Sequence, residues 1–366
     1  MSLWTSDEGT SRNDDLGYPI YVGDGLRTEL SALARDRGKP ALVLCDGRQK
    51  VRELARKAAL ALGKPELLGV PLGESRKGLA TIERVLEAMT AAGVERSSWV
   101  AGVGGGVASD AFGFACATYM RGVAYAHVAT TLVAMVDAAI GGKTGVNLRG
   151  GKNLAGVFRD PVAVFCDVSA LRTLPQRSLR EGVAEIVKAA IIEGGEFFEA
   201  LEALGAHPMR SWPWPAVVAA AVKVKTMTVA DDRLEAGRRE TLNLGHTFAH
   251  AIERASEYAI AHGAAVSLGL RAAGLLAQQR GTFEEREHLR VLALLALLGL
   301  PLQTTLDPGA ILAAMRADKK RRDGRLRFVL PRAIGDVEYG VECDTRSVLA
   351  VLRRLQRPPA RLRARR

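Results

Sequence analysis

Short apolar runs alternate regularly with longer amphipathic runs over the first 170 residues, and this alternation constrains the fold more than any other feature. The apolar runs at 41–44, 68–72 and 99–103 have the length and composition of buried strands. The amphipathic runs at 49–62 and 81–92 have the length of helices. Strands and helices that alternate in this way predict a parallel, doubly wound α/β sheet.

The pattern changes after Leu174 and Pro175. Amphipathic segments predict helices at 180–192, 197–204, 214–229, 241–256, 264–279, 284–298 and 308–315. One strand pair, at 326–330 and 337–339, interrupts them. We therefore predict an α/β domain at 1–174, a mainly α-helical domain at 175–352 and a disordered Arg-rich tail at 353–366.

Composition indicates an ordinary globular protein: the 366 residues are 48% hydrophobic and 25% charged. The longest apolar run, 291–302, is shorter than the ~20 residues of a membrane span, and the N-terminus lacks the basic and apolar regions of a signal peptide. Four widely spaced cysteines, with no CxxC pair, favour free thiols in a reducing compartment. We expect a cytoplasmic protein without membrane contact.

The basic charge is concentrated at one end of the chain. Residues 353–366 carry seven arginines and no acidic residue, and removing these seven charges from the formal net charge of +11 leaves +4 on the other 352 residues. A short basic terminus of this kind is typical of a solvated end. We expect no nucleic-acid partner.

Glycine-rich turns indicate a site for phosphate groups. Gly104, Gly105 and Gly106 follow a predicted strand and precede a predicted helix, where exposed backbone amides bind a pyrophosphate. Lys143 and Lys152 each follow glycine, which favours anion binding by a flexible segment. The Gly-Lys-Thr at 142–144 is not a P-loop, because Asp137 occupies the position of the first glycine.

Histidines are crowded between residues 246 and 262. Arg239, Asn243, His246 and His250 are spaced by 4, 3 and 4 residues, which places them on one face of a predicted helix. A divalent metal needs ligands from at least three positions, and His246 or His250, with His262 and Glu185, offers such a set. The site is not of the H-E-x-x-H type, because Thr247 replaces the glutamate. Four further cations suggest an anionic substrate: Lys225, Arg239, Lys319 and Lys320.

Seven motifs occur in order and together resemble the 3-dehydroquinate synthases of the sugar phosphate cyclase superfamily. They are GGGVASD (104–110), ATYMRG (117–122), TTLVAMVD (130–137), GGKTGVN (141–147), GKNL (151–154), LNLGHTFAHAIE (242–253) and DKKRRDG (318–324). The resemblance extends from about residue 18 to residue 350. It implies that the α/β domain binds NAD and that the helical domain binds a metal and the substrate.

The resemblance also implies particular ligand contacts. Glu185, His246 and His262 would hold the metal, which is zinc in most members and cobalt in some. NAD would lie on the turn formed by Gly105, Gly106, Val107, Ala108 and Ser109. Its other contacts would be Asp46, Gly73, Glu74, Lys77, Asp110, Thr130, Thr131, Asp137, Lys143, Lys152 and Thr173.

The implied substrate is 3-deoxy-D-arabino-heptulosonate 7-phosphate. Its carboxylate would contact Lys225 and Arg239. Its phosphate would contact Asn153, His250 and one or both of Lys319 and Lys320, together with Arg121 from the neighbouring subunit of a homodimer. Further substrate contacts would come from Lys143, Lys152, Lys188 and Asn243, and the implied catalytic set is Asp137, Lys143, Glu185, Lys188, Asn243 and His250.

In the reaction that the resemblance implies, NAD accepts a hydride from C5 of the sugar and phosphate leaves by β-elimination. NADH then returns the hydride, and ring opening with aldol closure gives 3-dehydroquinate. NAD is thereby regenerated. The implied protein is a lyase of the shikimate pathway, which supplies aromatic amino acid biosynthesis.

Five positions depart from the usual pattern of the family: Ser109, Ala138, Ala139, Ala249 and Ala264. Two other activities therefore stay open at the level of sequence. A sister cyclase would act on sedoheptulose 7-phosphate, which lacks a carboxylate and would leave Lys225 and Arg239 unpaired. An iron-type polyol dehydrogenase would share the two-domain architecture but would not need so many cations around one anion.

Overall fold

The computed structural model describes residues 9–319 and 325–359, without the side chains of residues 318 and 319. The chain divides into two compact units. The sheet unit contains the described residues up to Leu179 together with Pro213–Ala230. The helical unit contains Arg180–Trp212 and the described residues from Asp231 onward.

The strands of the sheet unit form one large sheet and one hairpin. They are β1 (Ser11–Asn13), β2 (Ile20–Gly23), β3 (Leu42–Asp46), β4 (Glu66–Val70), β5 (Trp99–Gly104), β6 (Ala124–Ala129), β7 (Lys143–Leu148), β8 (Gly151–Phe158) and β9 (Ala163–Asp167). The sheet has the order β1-β2-β9-β6-β5-β3-β4. All its neighbouring pairs are parallel except β1 with β2. The predicted parallel α/β fold is confirmed.

Helices of the described residues are α1 (Arg27–Arg37), α2 (Gln49–Ala61), α3 (Leu79–Ala91), α4 (Gly106–Thr118), α5 (Gln176–Glu193), α6 (Gly195–Gly205), α7 (Trp214–Asp231), α8 (His246–Ala255), α9 (His262–Gln279), α10 (Glu285–Leu297), α11 (Pro308–Lys319) and α12 (Thr345–Leu355). In this division α7 belongs to the sheet unit, whereas the sequence groups it with the second domain.

The sheet is buried on both faces. Val43 of β3 and Phe165 of β9 pack in one apolar cluster with residues of α1 and α2. Leu44 of β3 packs in a second cluster with residues of α3 and α4, among them Phe112. Adjacent strand residues point to opposite faces, so a strand covered on both sides reads as a continuous apolar run.

Strand β4 begins and ends two residues before the predicted run at 68–72. It pairs with β3 up to Val70, and the amide of Gly47 donates to the Val70 carbonyl at 2.7 Å. Pro71 has no amide hydrogen with which to continue the ladder. The apolar run therefore continues past the strand.

The helical unit contains α5 from Arg180 onward, helices α6 and α8 to α12, and the antiparallel pair β10 (Arg327–Ala333) and β11 (Asp336–Glu342). The sequence predicts one helix over 241–256, and this prediction is wrong. A 3-10 turn covers Arg238–Asn243, Gly245 adopts a left-handed φ of 77°, and α8 begins only at His246. A Cβ on Gly245 would lie 2.8 Å from the Leu270 amide nitrogen, so α9 packs directly on this break. Arg239 and Asn243 therefore do not share a helix face with His246 and His250.

Helix α12 includes the first residues of the predicted tail. Leu355 is its last residue and is fully buried, and the Thr304 amide donates to the Leu355 carbonyl at 3.0 Å. Arg353–Leu355 therefore form helix instead of tail, and residues 360–366 lie outside the described part of the chain.

The four cysteines are free, with Cys45, Cys116 and Cys166 buried and Cys343 half-buried, as the sequence predicts. Within the described ranges, none of the helices combines the length and the apolar character that crossing a membrane requires.

Candidate functional site

The carboxyl edge of the large sheet brings together several residues expected to contact NAD. β3 ends at Asp46, its neighbour β5 ends at Gly104, and Thr130 follows the end of β6. The winding reverses between β3 and β5, because β4 lies beyond β3 and β6 lies beyond β5. In doubly wound sheets, a nucleotide binds in the crevice at such a reversal.

The glycine turn after β5 has no room for side chains. A Cβ on Gly104 would overlap the Ala108 side chain, and one on Gly105 would lie 2.8 Å from Thr131 Cγ2. Helix α4 begins at Gly106 and presents its first amides at this edge. The hydroxyl of Ser109 bonds back to the Gly105 carbonyl at 3.4 Å, so this departure from the family pattern leaves the turn intact.

Thr130 carries a polar atom that needs a partner. Its side chain is buried, and its Oγ1 has no hydrogen bond to any described residue. Burying a hydroxyl unsatisfied costs about 1–3 kcal/mol. A hydrogen-bonding ligand at the strand edge would satisfy it, so the residues present fit a dinucleotide here.

Lys77 connects residues assigned to two different ligands. Its ammonium group forms an ion pair with Asp110 and also donates to Asn153 Oδ1 at 2.5 Å. Burial raises the pKa of Asp110 to about 6, although Lys77 acts in the opposite direction. The neighbouring Lys152 lies 3.8 Å from the carboxylate of Glu74. Residues expected to contact NAD and residues expected to contact the substrate phosphate thus form one cluster.

Lys225 on α7, the lysine expected to bind a substrate carboxylate, is paired with Asp137. Its Nζ lies 2.5 Å from Asp137 Oδ1, and Asp137 belongs to a single π-helical turn, Ala134–Ala138. A substrate carboxylate would compete with Asp137 for this lysine.

The other predicted site residues of the sheet unit differ in burial and in hydrogen-bond partners. Asp46 is buried and accepts hydrogen bonds from the backbone and side chain of Arg48. Thr173 bonds through its hydroxyl to the Ala170 carbonyl at 2.8 Å. Gly73 is extended with open space around it, and Lys143 is exposed at the start of β7. Arg121 is exposed and left-handed, with φ 67°.

In the helical unit, Glu185, His246 and His262 converge from three helices. Glu185 lies in α5, His246 begins α8 and His262 begins α9. Glu185 Oε1 lies 3.4 Å from His246 Nε2 and 2.9 Å from His262 Nε2. The three ligand atoms all lie within 4.8 Å of one another.

The surroundings of the triad fix the direction of its side chains. Nδ1 of His246 lies 3.2 Å from the Leu244 carbonyl, which favours a proton on Nδ1 and a lone pair on Nε2. Nδ1 of His262 faces Glu253 Oε2 at 3.6 Å. A carboxylate or carbonyl behind each histidine is the usual arrangement around a metal.

Neighbouring charges shift the pKa of both Glu185 and His262. Burial acts to raise the pKa of Glu185, but Lys188 at 2.5 Å and the two histidines outweigh it and hold that pKa well below its usual range. Burial likewise acts to lower the pKa of His262, but Glu185 and Glu253 raise it to about 10. Glu185 is therefore ionised where it faces the two histidines.

The distances fit a divalent ion. Two ligands about 2.1 Å from a tetrahedral ion are about 3.4 Å apart, and at an octahedral ion they are about 3.0 Å apart. The observed separations of 3.4 and 2.9 Å match these values. Two nitrogens and one carboxylate oxygen are a donor set that zinc and cobalt accept.

Arg239 is fully buried in a loop organised by Asp232. The Asp232 carboxylate accepts the amides of Ala236, Gly237 and Arg239 at 2.7–3.1 Å. The Arg239 guanidinium donates to the Arg233 carbonyl at 2.6 Å. A charge-complementary ligand at Arg239 would therefore meet a side chain that is already positioned.

The remaining predicted residues of the helical unit are His250, Ala249, Ala264, Lys319 and Lys320. The His250 ring is exposed and packs edge-on against His246 at 5.3 Å between centroids. Ala249 is fully buried, and Ala264 is half-buried. Lys319 ends α11 without a described side chain, and Lys320 lies outside the described residues.

Sequence reasoning missed three side chains that contact predicted site residues. Glu253 faces His262; it lies seven residues after His246 in α8, so helical spacing could have indicated it. Glu235 accepts a hydrogen bond from Asn243 at 3.0 Å, but it has a left-handed φ of 60° in an irregular loop. Asn147 contacts Glu74 and Asn153. Neither Glu235 nor Asn147 lies at a helical or strand spacing from a predicted site residue that would have indicated it.

Comparison with known proteins places both parts of the chain in one family. Residues 67–181 match the family described as 3-dehydroquinate synthase N-terminal, and residues 182–321 match 3-dehydroquinate synthase C-terminal. A 3-dehydroquinate synthase of Acidithiobacillus ferrooxidans is 41% identical over 332 residues, which cover 88% of this chain and 91% of the relative.

Solved structures show the same likeness. The 2-epi-5-epi-valiolone synthase ValA of Streptomyces hygroscopicus, with bound NAD+ and Zn2+, is 32% identical with a TM-score of 0.83, over 96% of this chain and 98% of that one. A 2-deoxy-scyllo-inosose synthase complexed with carbaglucose-6-phosphate, NAD+ and Co2+ is 25% identical with a TM-score of 0.86, over 94% and 99%.

Proposed function

Because the chain belongs to the 3-dehydroquinate synthase family, we infer that it is an enzyme that converts 3-deoxy-D-arabino-heptulosonate 7-phosphate into 3-dehydroquinate and phosphate. The observation that carries this inference is the meeting of Glu185, His246 and His262 in a chain matched along most of its length by synthases of this name. Two structural neighbours contain NAD with zinc or cobalt, which supports the same cofactors here.

We propose that the two cofactors are held by residues of different units. NAD would be held at the β3–β5 edge of the sheet, by the glycine turn, Thr130 and Lys77 in particular. The metal would be held by Glu185, His246 and His262. When bound, NAD supplies reversible hydride transfer and the metal polarises the oxygen at the oxidised carbon.

We propose that the protein's own cations hold the two ends of the substrate. Arg239 and Lys225 would bind the carboxylate, with Asp137 released from Lys225 to orient a substrate hydroxyl. Asn153, Lys152 and His250 would hold the phosphate. Lys188, which lies 2.5 Å from Glu185, would keep that carboxylate ionised near the reacting carbon.

We also propose a homodimer in which Arg121 reaches the neighbouring site. The support is an unusual surface on the sheet unit. Strand β8 pairs only with β7 among the described strands and exposes Leu154, Val157 and Phe158. Met120, beside Arg121, is also exposed. Long apolar edge strands are normally covered. Light scattering should give twice the 39.1 kDa chain mass, and a monomer at micromolar concentration would contradict this proposal.

Phosphate release tests the function. Protein loaded with zinc and supplied with a catalytic amount of NAD should release phosphate from 3-deoxy-D-arabino-heptulosonate 7-phosphate without net NADH. A His246→Ala variant should lose bound zinc and phosphate release together while it stays folded. Release from sedoheptulose 7-phosphate in place of the carboxylated sugar would indicate a sister cyclase, and net NADH from a simple polyol would indicate a dehydrogenase.

A further inference from the structure

Asn147, near the end of β7, contacts both groups of residues in the sheet unit that the proposed function assigns to ligands. Its amide nitrogen Nδ2 donates to Glu74 Oε1 at 2.8 Å and to the Glu74 carbonyl at 3.1 Å. Its Oδ1 accepts the backbone amide of Asn153 at 2.9 Å. The side chain therefore uses both its donor and its acceptor capacity on these two residues.

The backbone of Asn147 reinforces the contact with the 74–78 segment. Its N–H donates to the Lys77 carbonyl at 2.7 Å, and Asn147 forms a parallel bridge with Gly78. Glu74 and Lys77, both expected to contact NAD, are thus attached to the hairpin through one residue. Three hydrogen bonds define the position of this attachment.

The Asn147 side chain also contacts the backbone of Asn153, which has an uncommon conformation. Asn153 is left-handed, with φ 53°, and the β7–β8 register shifts between Val146 and Leu148. Asn adopts this region more readily than other non-glycine residues, but the hydrogen bonds around it select this conformation. The Asn147 acceptor and the bond from Lys77 to Asn153 Oδ1 are the described contacts that do so.

We propose that Asn147 is a positioning residue that fixes the cofactor segment 74–78 and the phosphate-binding Asn153 in one geometry, so that its loss weakens the binding of both ligands. This inference rests on the proposed function for the assignment of the two subsites. It adds a residue that touches neither ligand but aligns both.

Binding measurements on the full-length, zinc-loaded protein test the proposal without turnover. The probes are NAD and inorganic phosphate, each titrated by calorimetry. Asn147→Ala should raise the Kd of both probes about fivefold or more, as expected for the loss of a net hydrogen bond on each side. Asn153→Gly keeps the left-handed backbone but removes the side chain, including its bond from Lys77, so it should raise the Kd of phosphate more than that of NAD.

Two controls separate positioning from damage to the fold. Leu148→Ala removes an exposed side chain next to Asn147 and should change neither Kd. Zinc affinity, which belongs to the helical unit, should be the same in every variant. If Asn147→Ala does not fold, Asn147→Asp serves instead: it keeps the acceptor for Asn153 but places a carboxylate against Glu74, so the Kd of NAD should rise more than that of phosphate.

Unchanged NAD and phosphate affinity in Asn147→Ala, or a loss confined to one probe, would overturn the inference. Wild-type protein that binds both probes but releases no phosphate from the sugar would contradict the proposed function and not the role of Asn147. Wild-type protein that binds neither probe would contradict both.

Discussion

Two histidines outside the proposed site make the stability of the fold depend on pH. His127 lies in β6 and His288 in α10, and burial lowers the pKa of each to about 4. An unfolded chain binds these protons near the ordinary value of about 6.5. The contribution of these two neutral histidines to the free energy of unfolding is therefore complete above pH 6.5 and is lost as the pH falls towards 4.

Substituting His127 should remove part of this acid sensitivity. Nδ1 of His127 has no hydrogen-bond partner among the described residues, so His127→Leu replaces an unsatisfied ring with an apolar side chain at small cost near pH 7. The fall in the free energy of unfolding between pH 6.5 and 4 should shrink by up to about 3 kcal/mol. Urea titrations at several pH values measure it.

The exposed His207 provides the control for this prediction. His207→Leu removes a histidine from the surface and should leave the pH dependence of the free energy of unfolding as it is in the wild type. An identical slope in His127→Leu and wild type would show that His127 is not the source of the acid sensitivity.

At the scale of elements, glycines set the distances between the helices that carry the triad. A Cβ on Gly263, the second residue of α9, would overlap the backbone of Glu181 in α5. A Cβ on Gly269 would overlap the Gly245 carbonyl just before α8. Because α5, α8 and α9 each supply one ligand, these close approaches bring the ligand atoms within reach of one ion.

Gly263→Ala should therefore separate His262 from Glu185. The overlap is with backbone and not with a flexible side chain, so α9 must move, and overpacking of this kind costs about 1–3 kcal/mol. We expect zinc affinity to fall at least tenfold, measured by competition with a chelator. The control is Gly281→Ala at the other end of α9, where φ is 74° but a Cβ would meet nothing within 4 Å. It should lower stability without changing zinc affinity; equal zinc affinity in both variants would refute the argument.

The elements also show what sequence patterns can predict. Strands β3 and β5 of the large sheet were predicted from apolar runs that are buried on both faces, whereas β6 and β9, which are equally buried, were not. The break before α8 was not, because apolar spacing continues through Gly245 while its left-handed backbone depends on contact with α9. The crowded histidines indicated a metal site from the sequence, but Glu253 and Asn147 became evident only from the contacts they make.

At the scale of the whole molecule, the C-terminal boundary of the fold can be located by truncation. Deletion of residues 353–366 removes Leu355, which is fully buried, and the Arg354 carbonyl that accepts a hydrogen bond from the buried Arg271 at 3.0 Å. This deletion should lower the Tm by several degrees, because it removes a core leucine and a hydrogen-bond acceptor of the buried Arg271 guanidinium.

Deletion of residues 360–366 alone removes none of these contacts. We expect the Tm and phosphate release of this shorter truncation to match the full-length protein, measured side by side with the 353–366 deletion. Equal melting temperatures for the two truncations would mean that the last turn of α12, Arg353–Leu355, contributes nothing to the stability of the helical unit.

The sheet unit takes α7 from a later part of the chain, and this has a consequence for synthesis on the ribosome. The chain leaves the sheet unit after Leu179, returns at Pro213 and leaves again after Ala230. Asp137 and Asp15 obtain their α7 partners, Lys225 and Thr226, only when this helix has been made. After Leu179, roughly 50 further residues must be translated before the sheet unit is complete at Ala230. During this interval the incomplete sheet unit is exposed, and we expect chaperones to bind it then.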